Sequence, residues 1–265
     1  MSLASLAELP ASRRSAELRR WLPPRVFSHL GELDADRYGP DGEKPGAFHA
    51  VVDLGNDEVR LRVPAEPVGE DFALRLDLED AGGGQLELAF VAMNDLSAPR
   101  YDIDVDPSGQ PTLLGTVRRH LTEEERAMRA GLGPCQVRRG LGCFRGLLDG
   151  LESFAQRLGY VAIQLEPLTY HNAVTYERRG FGYIAGRKRM QAIDAAFAPG
   201  GTLRRACDAS TPFRRPHLPD TARGRSWAIH DGVLTELDGD RSLHLRMFKV
   251  LGKDAGVRTY LAGGK

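Results

Sequence analysis

A glycine-containing loop at residues 139–145 carries the residue types that bind phosphate. It reads Arg139-Gly140-Leu141-Gly142-Cys143-Phe144-Arg145 and leads directly into an amphipathic segment. The first amides of a helix have no intrahelical acceptor and lie at the positive end of the helix dipole. Glycine lets a phosphate approach the backbone closely, and arginine adds a planar cationic donor. The loop therefore predicts an anion site made of the amides of Leu141 to Arg145 and the Arg139 side chain. A tight turn with solvated arginines explains the same residues.

The elements that must position this loop follow it in a regular order. A helix is predicted from apolar residues spaced three and four apart, and Gly159 ends it. The residues that mark the helix are Phe144, Leu147, Leu148, Leu151, Phe154 and Leu158. A buried strand is predicted at 160–165, followed by a short helix that begins at His171 and is stopped by Gly180, and a strand at 183–187.

Taken in order, these elements resemble the coenzyme-A-binding half of the GNAT superfamily of acyl-CoA N-acyltransferases. The resemblance covers about residues 135–190, and it is carried by Arg139, Gly142 and the motif Tyr176-Glu-x-x-Gly-Phe. Phe144 stands where the family has a small residue, and Thr169 stands where it often has asparagine. The resemblance implies acyl transfer, with acetyl as the expected group, to a primary amine by direct attack in a ternary complex.

The co-substrate that the resemblance implies is acetyl-CoA or another acyl-CoA, and the acceptor is a small-molecule or peptide amine. Residues 139–145 would hold the diphosphate. Tyr176 stands where the family keeps a tyrosine near the coenzyme sulfur, and a phenol there can protonate the leaving thiolate. A packed helix tyrosine is the alternative interpretation.

Asp104 is the predicted base that deprotonates the amine. Asp102, Asp104 and Asp106 alternate with Ile103 and Val105, so on a strand the three carboxylates would share one face. In the resembled fold this strand borders the acceptor. A solvated strand face is the alternative. The spacing does not match a calcium loop, which has its glycine closer and a distal glutamate, so no metal is predicted.

Three other groups carry residue types that could take part in chemistry. His171 is expected to be a capping or surface residue, and the sequence His230-Asp231-Gly232 is expected to be a turn at a strand end. Cys143 precedes the helix, where thiol pKa values are often lowered, but no histidine partner accompanies it in the sequence.

The composition is that of an ordinary globular protein. The 265 residues are 42% hydrophobic and 27% charged, and Lys+Arg and Asp+Glu both total 36. This balance favours neither nucleic acid nor an anionic membrane as a partner. The three cysteines have no disulfide or zinc spacing, so the expected location is the cytoplasm. Whether the chain forms a homodimer stays open.

The predicted fold is mixed α/β (α+β), with a mostly antiparallel central sheet flanked by helices. Residues 1–70 are predicted to form an N-terminal helix and β-hairpin region, and 71–194 the acyl-CoA-binding core. An insertion at 107–137, before the phosphate loop, is predicted to hold a hairpin ending in 112–117 and a helix whose capping box starts at Thr122. Residues 195–265 are predicted to form a C-terminal extension containing β-structure. Its strands are expected at 227–237 and 243–250.

The predicted strands of the first half follow alternating apolar residues. They lie at 47–54, 58–63, 72–78, 86–93 and 100–106, and Gly55-Asn56-Asp57 is predicted to turn the first hairpin. An N-terminal helix is predicted from Ser15 to Leu22, ended by Pro23-Pro24, with a further turn or two at 26–33.

Two other functions agree with the same residues. A GNAT-like scaffold without turnover would serve as a binding or assembly module, and Phe144, Thr169 and the insertion favour it. An unrelated protein that uses thioesters would also need a loop of this kind.

Overall fold

The chain divides into two compact units in the computed structural model, which describes residues 3–28, 49–53, 58–63, 71–115 and 117–261. Unit 1 contains Met1–Pro99, Arg139–Leu165 and Lys249–Lys253. Unit 2 contains Arg100–Arg138, Glu166–Phe248 and Asp254–Lys265. The loop at residues 139–145 therefore belongs to unit 1, whereas Asp104 and Tyr176 belong to unit 2.

Among the described residues, five strands of unit 1 lie side by side in the order of the sequence. They are β1 (His49–Asp53), β2 (Glu58–Val63), β3 (Leu74–Asp80), β4 (Gln85–Met93) and β5 (Ala162–Leu165). Pairing is antiparallel from β1 to β4, and β4 pairs parallel with β5. A parallel neighbour needs a long crossover, so the 68 residues that separate Met93 from Ala162 are consistent with this pairing.

Alternation in β3 sets which face of the sheet is buried. Leu74, Leu76 and Leu78 are fully buried, while Arg75 between them is exposed. The register between β3 and β4 shifts after Asp77 and its partner Phe90, where Leu78 pairs with Leu88 and Ala89 is left over. This extra residue is a β-bulge in β4.

The described part of unit 1 contains the helices α1 (Leu3–Ala7), α2 (Ala11–Arg20), α3 (Pro24–Ser28) and α5 (Phe144–Leu158), where α5 is numbered in chain order. Helix α5 buries the apolar stripe that predicts it. It meets the end of α2 closely, because Gly150 lies against the carbonyl of Trp21 and the Trp21 ring stacks on Phe154 at 5.1 Å. Gly159 ends α5 in the left-handed conformation that glycine adopts without strain.

Unit 2 is mainly helical. Its helices are α4 (Leu121–Arg129), α6 (Tyr170–Glu177), α7 (Arg187–Phe197), α8 (Thr202–Arg205), α9 (Ala222–His230) and α10 (Thr235–Asp238), with single 3₁₀ turns at Pro212–Arg214 and Leu218–Asp220. Strand β6 (Gly182–Ala185) pairs antiparallel with β7 (Arg246–Val250), whose first three residues belong to this unit.

The core of unit 2 is built on aromatic side chains from its helices. Trp227 on α9 is 1% exposed and stacks on Phe213 at 5.4 Å. Tyr170 and Phe197 are also buried, and α9 packs on α6. A smaller apolar cluster joins Ile103, Ala127 and Leu132.

The mixed α/β class and the mostly antiparallel sheet flanked by helices are confirmed. The helix at 144–158 has the predicted bounds. The strands predicted at 160–165 and 183–187, and the short helix predicted from His171 to the stop at Gly180, are present within a few residues. The N-terminal helix starts earlier than predicted, at Ala11, and ends before Pro23-Pro24 as predicted. The hairpin turn Gly55-Asn56-Asp57 and most of 26–33 lie outside the described residues.

The strand predicted at 100–106 is wrong. Residues 103 and 104 form a turn, and only Val105 makes a β-bridge, to Pro111. The Arg100 side chain forms ion pairs with Asp102 at 2.5 Å and with Asp104 at 2.6 Å. The charged side chains of this segment therefore pair with each other locally. The predicted strand over 112–117 is likewise absent from its described residues, because Thr112 to Gly115 form a turn.

Two further predictions about secondary structure are wrong. The strand expected at 227–237 is replaced by α9 and α10, and the Thr221 hydroxyl caps α9 by accepting from the Gly224 amide at 3.0 Å. The turn at His230-Asp231-Gly232 consequently follows a helix. The capping box at Thr122 does not form, since α4 begins one residue earlier and His120 precedes it without a side-chain cap.

Candidate functional site

The loop before α5 leaves several backbone amides unsatisfied. The first amide of this region that bonds within the helix is that of Leu147, which donates to the Cys143 carbonyl at 3.0 Å. Across the described ranges, the amides of Leu141, Gly142, Cys143 and Arg145 donate to no acceptor. These four donors precede or begin a helix of 15 residues, which is the arrangement that binds anions.

Two glycines shape this loop in different ways. Gly142 has φ of +71°, a backbone conformation that L-residues rarely adopt and that glycine adopts without strain. Gly140 lies against β4, where a Cβ would come within 3.4 Å of the Met93 carbonyl. Leu141 between them is 1% exposed and anchors the loop in the core of unit 1.

The Arg139 side chain already has an anionic partner. It donates to Asp95 at 2.6 Å, while its carbonyl accepts from the Asp95 amide at 2.8 Å. The Asp95 side chain is 6% exposed, whereas that of Arg139 is 72% exposed. Arg139 is thus oriented by Asp95 and still reaches solvent with most of its surface.

A second arginine lies beside the loop and was missed by sequence reasoning. A Cβ on Gly142 would lie 3.6 Å from Nη1 of Arg25, which belongs to α3. Arg25 also lowers the pKa of Cys143 through its charge. No signal near residue 25 of the sequence indicates a partner more than a hundred residues away.

The thiol of Cys143 is partly buried. Burial raises its pKa, and this effect is larger than the opposing effect of Arg25. Its Sγ contacts Sδ of Met93 at 3.9 Å. Phe144, the residue that departs from the family pattern, is half-buried at the first position of α5, while Arg145 is exposed with Asp149 as a neighbour at 3.7 Å.

Tyr176 lies in unit 2 on α6 and is 6% exposed. Its ring packs edge-on against Phe181 at 5.3 Å. Burial raises the pKa of the phenol well above its ordinary value. Tyr176 therefore keeps its proton at neutral pH and can donate a hydrogen bond, but its full ionisation is disfavoured.

Asp104 is partly buried and has one oxygen in an ion pair. Oδ2 accepts from Arg100 at 2.6 Å. Oδ1 is buried and accepts no hydrogen bond from the described residues. A buried carboxylate oxygen without a donor is unusual in a folded protein.

His171 is not the capping or surface residue that the sequence suggested. Its Nδ1 lies 2.9 Å from both Thr169 Oγ1 and Ser226 Oγ. Burial, with a smaller effect of Arg223, lowers the pKa of His171 to about 4. The ring is therefore neutral at physiological pH.

No protein-family model, no curated protein and no solved structure matches this chain. A function is therefore argued from the residues and geometry of the site. Among the residues that the structure describes, no three His, Cys, Asp or Glu side chains form a set that could hold a metal. The described helices also include none with the length and hydrophobicity to cross a bilayer.

Proposed function

We propose that the protein is an acyl-CoA-dependent N-acyltransferase that moves an acyl group, acetyl in the simplest case, to a primary amine by direct attack. The observation that carries the proposal is the group of unsatisfied amides at Leu141, Gly142, Cys143 and Arg145. A diphosphate accepts several hydrogen bonds from such donors, and the dipole of α5 and the guanidiniums of Arg139 and Arg25 add positive charge.

The order of elements around the loop also supports the proposal. The resemblance requires a largely antiparallel sheet, then the loop and its helix, a strand, a helix carrying the tyrosine and a second strand. The chain has β1 to β4, α5, β5, α6 with Tyr176 and β6 in that order. The proposed cofactor-binding residues are Arg139 to Arg145, with Arg25 added.

The resemblance assigns one proton transfer to Asp104 and one stabilising hydrogen bond to Tyr176. The amine loses a proton to become nucleophilic, and Asp104 has a carboxylate oxygen without a donor to receive it. The departing thiolate of coenzyme A is stabilised by the Tyr176 hydroxyl. Because the pKa of this phenol is raised, a hydrogen bond to the thiolate fits Tyr176 better than complete proton transfer does.

Calorimetric titration with acetyl-CoA and coenzyme A tests the binding part. Arg139→Ala is expected to weaken coenzyme A binding about tenfold, since a charge-assisted hydrogen bond contributes about 1.5–3 kcal/mol and Asp95 already takes part of this interaction. Arg157→Ala is the matched control because it removes the same charge from the exposed last turn of the same helix. Equal coenzyme A affinities of Arg139→Ala and Arg157→Ala would contradict binding of the diphosphate by this loop.

Release of free thiol from acetyl-CoA with a panel of primary amines tests the transfer. Tyr176→Phe is expected to lower kcat more than it weakens coenzyme A binding. Equal losses in the two quantities would assign Tyr176 to packing against Phe181.

A non-catalytic binding or assembly module is the second candidate, and the Arg139–Asp95 pair favours it. Asp95 supplies a carboxylate where an anionic ligand would otherwise neutralise the arginine. Coenzyme A binding without thiol release across the amine panel would support this module.

A further inference from the structure

The turn that follows β4 holds a buried carboxylate against the loop at residues 139–145. Asp95 is 4% exposed and lies in unit 1, two residues after the end of β4. Its backbone amide donates to the Arg139 carbonyl at 2.8 Å, and Oδ2 of its side chain accepts from Nη2 of Arg139 at 2.6 Å. Asp95 therefore contacts Arg139 at two points, one on the main chain and one on the guanidinium.

The Asp95 side chain is itself fixed by hydrogen bonds within this turn. Its Oδ1 accepts from the Ser97 amide at 3.1 Å and also from the Ser97 hydroxyl. The Asp95 carbonyl accepts from the Ala98 amide at 3.0 Å, which closes a β-turn. The preceding residue, Asn94, donates from its side chain to the Phe72 carbonyl at 3.0 Å. The carboxylate consequently has little freedom to move away from Arg139.

The guanidinium of Arg139 keeps most of its donors. An arginine side chain carries five N–H groups. Within the described part of the chain, the Arg139 side chain makes a hydrogen bond to Asp95 and to no other residue. Because Asp95 is buried and most of the Arg139 side chain is exposed, the remaining donors are accessible from solvent.

Asp95 has two opposing effects on an anion that binds at the loop. Ordering a long side chain opposes ligand binding, so a residue that already holds Arg139 in place favours binding. The negative charge of Asp95 repels the anion. Repulsion persists when Arg139 is replaced, whereas orientation of its side chain does not. A double-mutant cycle therefore separates the two effects.

We propose that Asp95 is a positioning residue that presents the Arg139 guanidinium to the diphosphate of the ligand. The proposal rests on the proposed function, which assigns a diphosphate to residues 139–145. Asp95 acts on the ligand through Arg139, which bridges a buried carboxylate of the protein and a phosphate oxygen. The contact between the two backbones fixes the start of the loop at the same time.

Calorimetric titration of the full chain with inorganic pyrophosphate and with coenzyme A tests the proposal. Asp95→Asn keeps an oxygen for Ser97 and the amide for the Arg139 carbonyl, but it removes the carboxylate that holds the guanidinium. We expect Asp95→Asn to weaken binding about fivefold when Arg139 is present, as expected for one long side chain that must be ordered on binding. In the Arg139→Ala background this loss should disappear.

Two results of the cycle overturn the proposal. An equal effect of Asp95→Asn in both backgrounds would show that Asp95 acts only by its charge. Tighter binding in Asp95→Asn that requires Arg139 would show that the carboxylate competes with the ligand for the arginine. Asp95→Ser, whose hydroxyl can also accept from the turn, replaces Asp95→Asn in the cycle if that variant does not fold.

Ser97→Ala is the matched control for the structure of the turn. It removes a hydrogen bond to Oδ1 of Asp95 and leaves the pair between Oδ2 and Arg139 intact. Its affinity for pyrophosphate should stay within about twofold of the wild type, while thermal unfolding measures the loss of stability in both variants. Equal losses of affinity in Ser97→Ala and Asp95→Asn would assign Asp95 to the fold of the turn and overturn the proposal.

The same titrations separate this proposal from the proposed function. A wild type that binds neither pyrophosphate nor coenzyme A would reject the proposed function, and Asp95 would then have no ligand to position. A wild type that binds both, with no dependence of the Asp95→Asn effect on Arg139, would overturn the positioning role alone and leave the loop as the binding site.

Discussion

Several charged side chains of unit 2 are buried and hydrogen-bonded. The carboxylate of Glu177, on a residue 1% exposed, accepts from Tyr183 at 2.6 Å and from the Thr259 amide at 2.9 Å. Arg225, 3% exposed, donates to Asp194 at 2.5 Å and to the Pro219 carbonyl at 2.8 Å. Buried charges of this kind contribute little net stability when intact, but removal of one partner is costly.

Glu124→Gln should destabilise the protein strongly. The change leaves Arg119, which donates to the buried Glu124 carboxylate, with a neutral partner, and breaking a buried ion pair costs about 3–5 kcal/mol. Urea denaturation at pH 7 measures this loss as a lower midpoint. Glu125→Gln, the next residue of α4, is the control: its pairs with Arg129 and Arg215 are on the surface, so about 1 kcal/mol or less is expected.

The stability difference between wild type and Glu124→Gln should depend on pH. Burial opposes ionisation of Glu124, but His230 and Arg119 hold its folded pKa below the usual value. Its ionised form therefore stabilises the native state above the unfolded pKa of about 4.3. That contribution is lost as the pH falls through the lower folded pKa. A difference in midpoint that stays constant from pH 7 to pH 3 would contradict this linkage.

His171 should make the protein less stable in mild acid. Its folded pKa of about 4 is below the unfolded value of about 6.5, so the unfolded chain binds an extra proton between these limits. Stability therefore falls as the pH drops from 6.5 toward 4. In His171→Asn, which keeps a polar atom toward Thr169 and Ser226, the denaturation midpoint should decline less over this range. An equal decline in both proteins would exclude His171 as the source.

Helix α5 contains two glycines that meet the rest of unit 1 differently. A Cβ on Gly146 would lie 3.6 Å from the Pro23 ring, which is an ordinary contact. A Cβ on Gly150 would overlap the Trp21 carbonyl. Gly150 therefore permits the close approach of α5 to the end of α2.

Gly150→Ala and Gly146→Ala should change stability in opposite directions. Alanine favours a helix interior over glycine by about 1 kcal/mol, and Gly146→Ala should gain up to this amount. Gly150→Ala should lose at least about 1–3 kcal/mol, since an added methyl group forces the backbones apart. Thermal unfolding followed by circular dichroism measures both, and a stabilising Gly150→Ala would show that α5 does not need this contact.

Elements with strong local patterns were predicted well from the sequence. Helix α5 combines a helical apolar stripe with a glycine stop, and both ends were correct. The segment 100–106 has the alternation of a strand, but Asp102 and Asp104 both pair with Arg100, and residues 103 and 104 turn. At 227–237 apolar residues form a run that is ambiguous between strand and helix, and the Thr221 cap is the local signal that favours the helix.

The candidate sites were predicted only where they are local in sequence. The amides of 141–145 follow from a loop that enters a helix. Arg25 beside Gly142, and Asp95 beside Arg139, join residues that are far apart in the sequence. Pairs of this separation depend on tertiary packing, and no periodicity in the sequence encodes them.

The two units alternate along the chain. Unit 1 takes its β1–β4 region from before residue 100 and its α5 and β5 from after residue 138. An N-terminal fragment therefore lacks α5 and also β5, the strand that pairs with β4. The compactness of unit 1 depends on segments that are remote in sequence.

A fragment of residues 1–99 should consequently fail to fold alone. Without α5 it loses the apolar face formed by Leu147, Leu151 and Phe154, and without β5 it loses the ladder on Gln85 to Glu87. We expect a two-dimensional NMR spectrum with little dispersion. A well-dispersed spectrum would show that the first four strands and the N-terminal helices form an independent domain.

Each unit contains one of the two tryptophans of the chain. Trp21 and Trp227 are 6% and 1% exposed, so both should change their emission on unfolding. Replacing either by phenylalanine leaves a fluorophore that reports on a single unit, and coincident curves from the two variants would indicate one cooperative transition. Replacing Trp21 should cost less stability than replacing Trp227. The indole nitrogen of Trp21 has no acceptor among the described residues, whereas that of Trp227 donates to the Leu132 carbonyl at 2.8 Å.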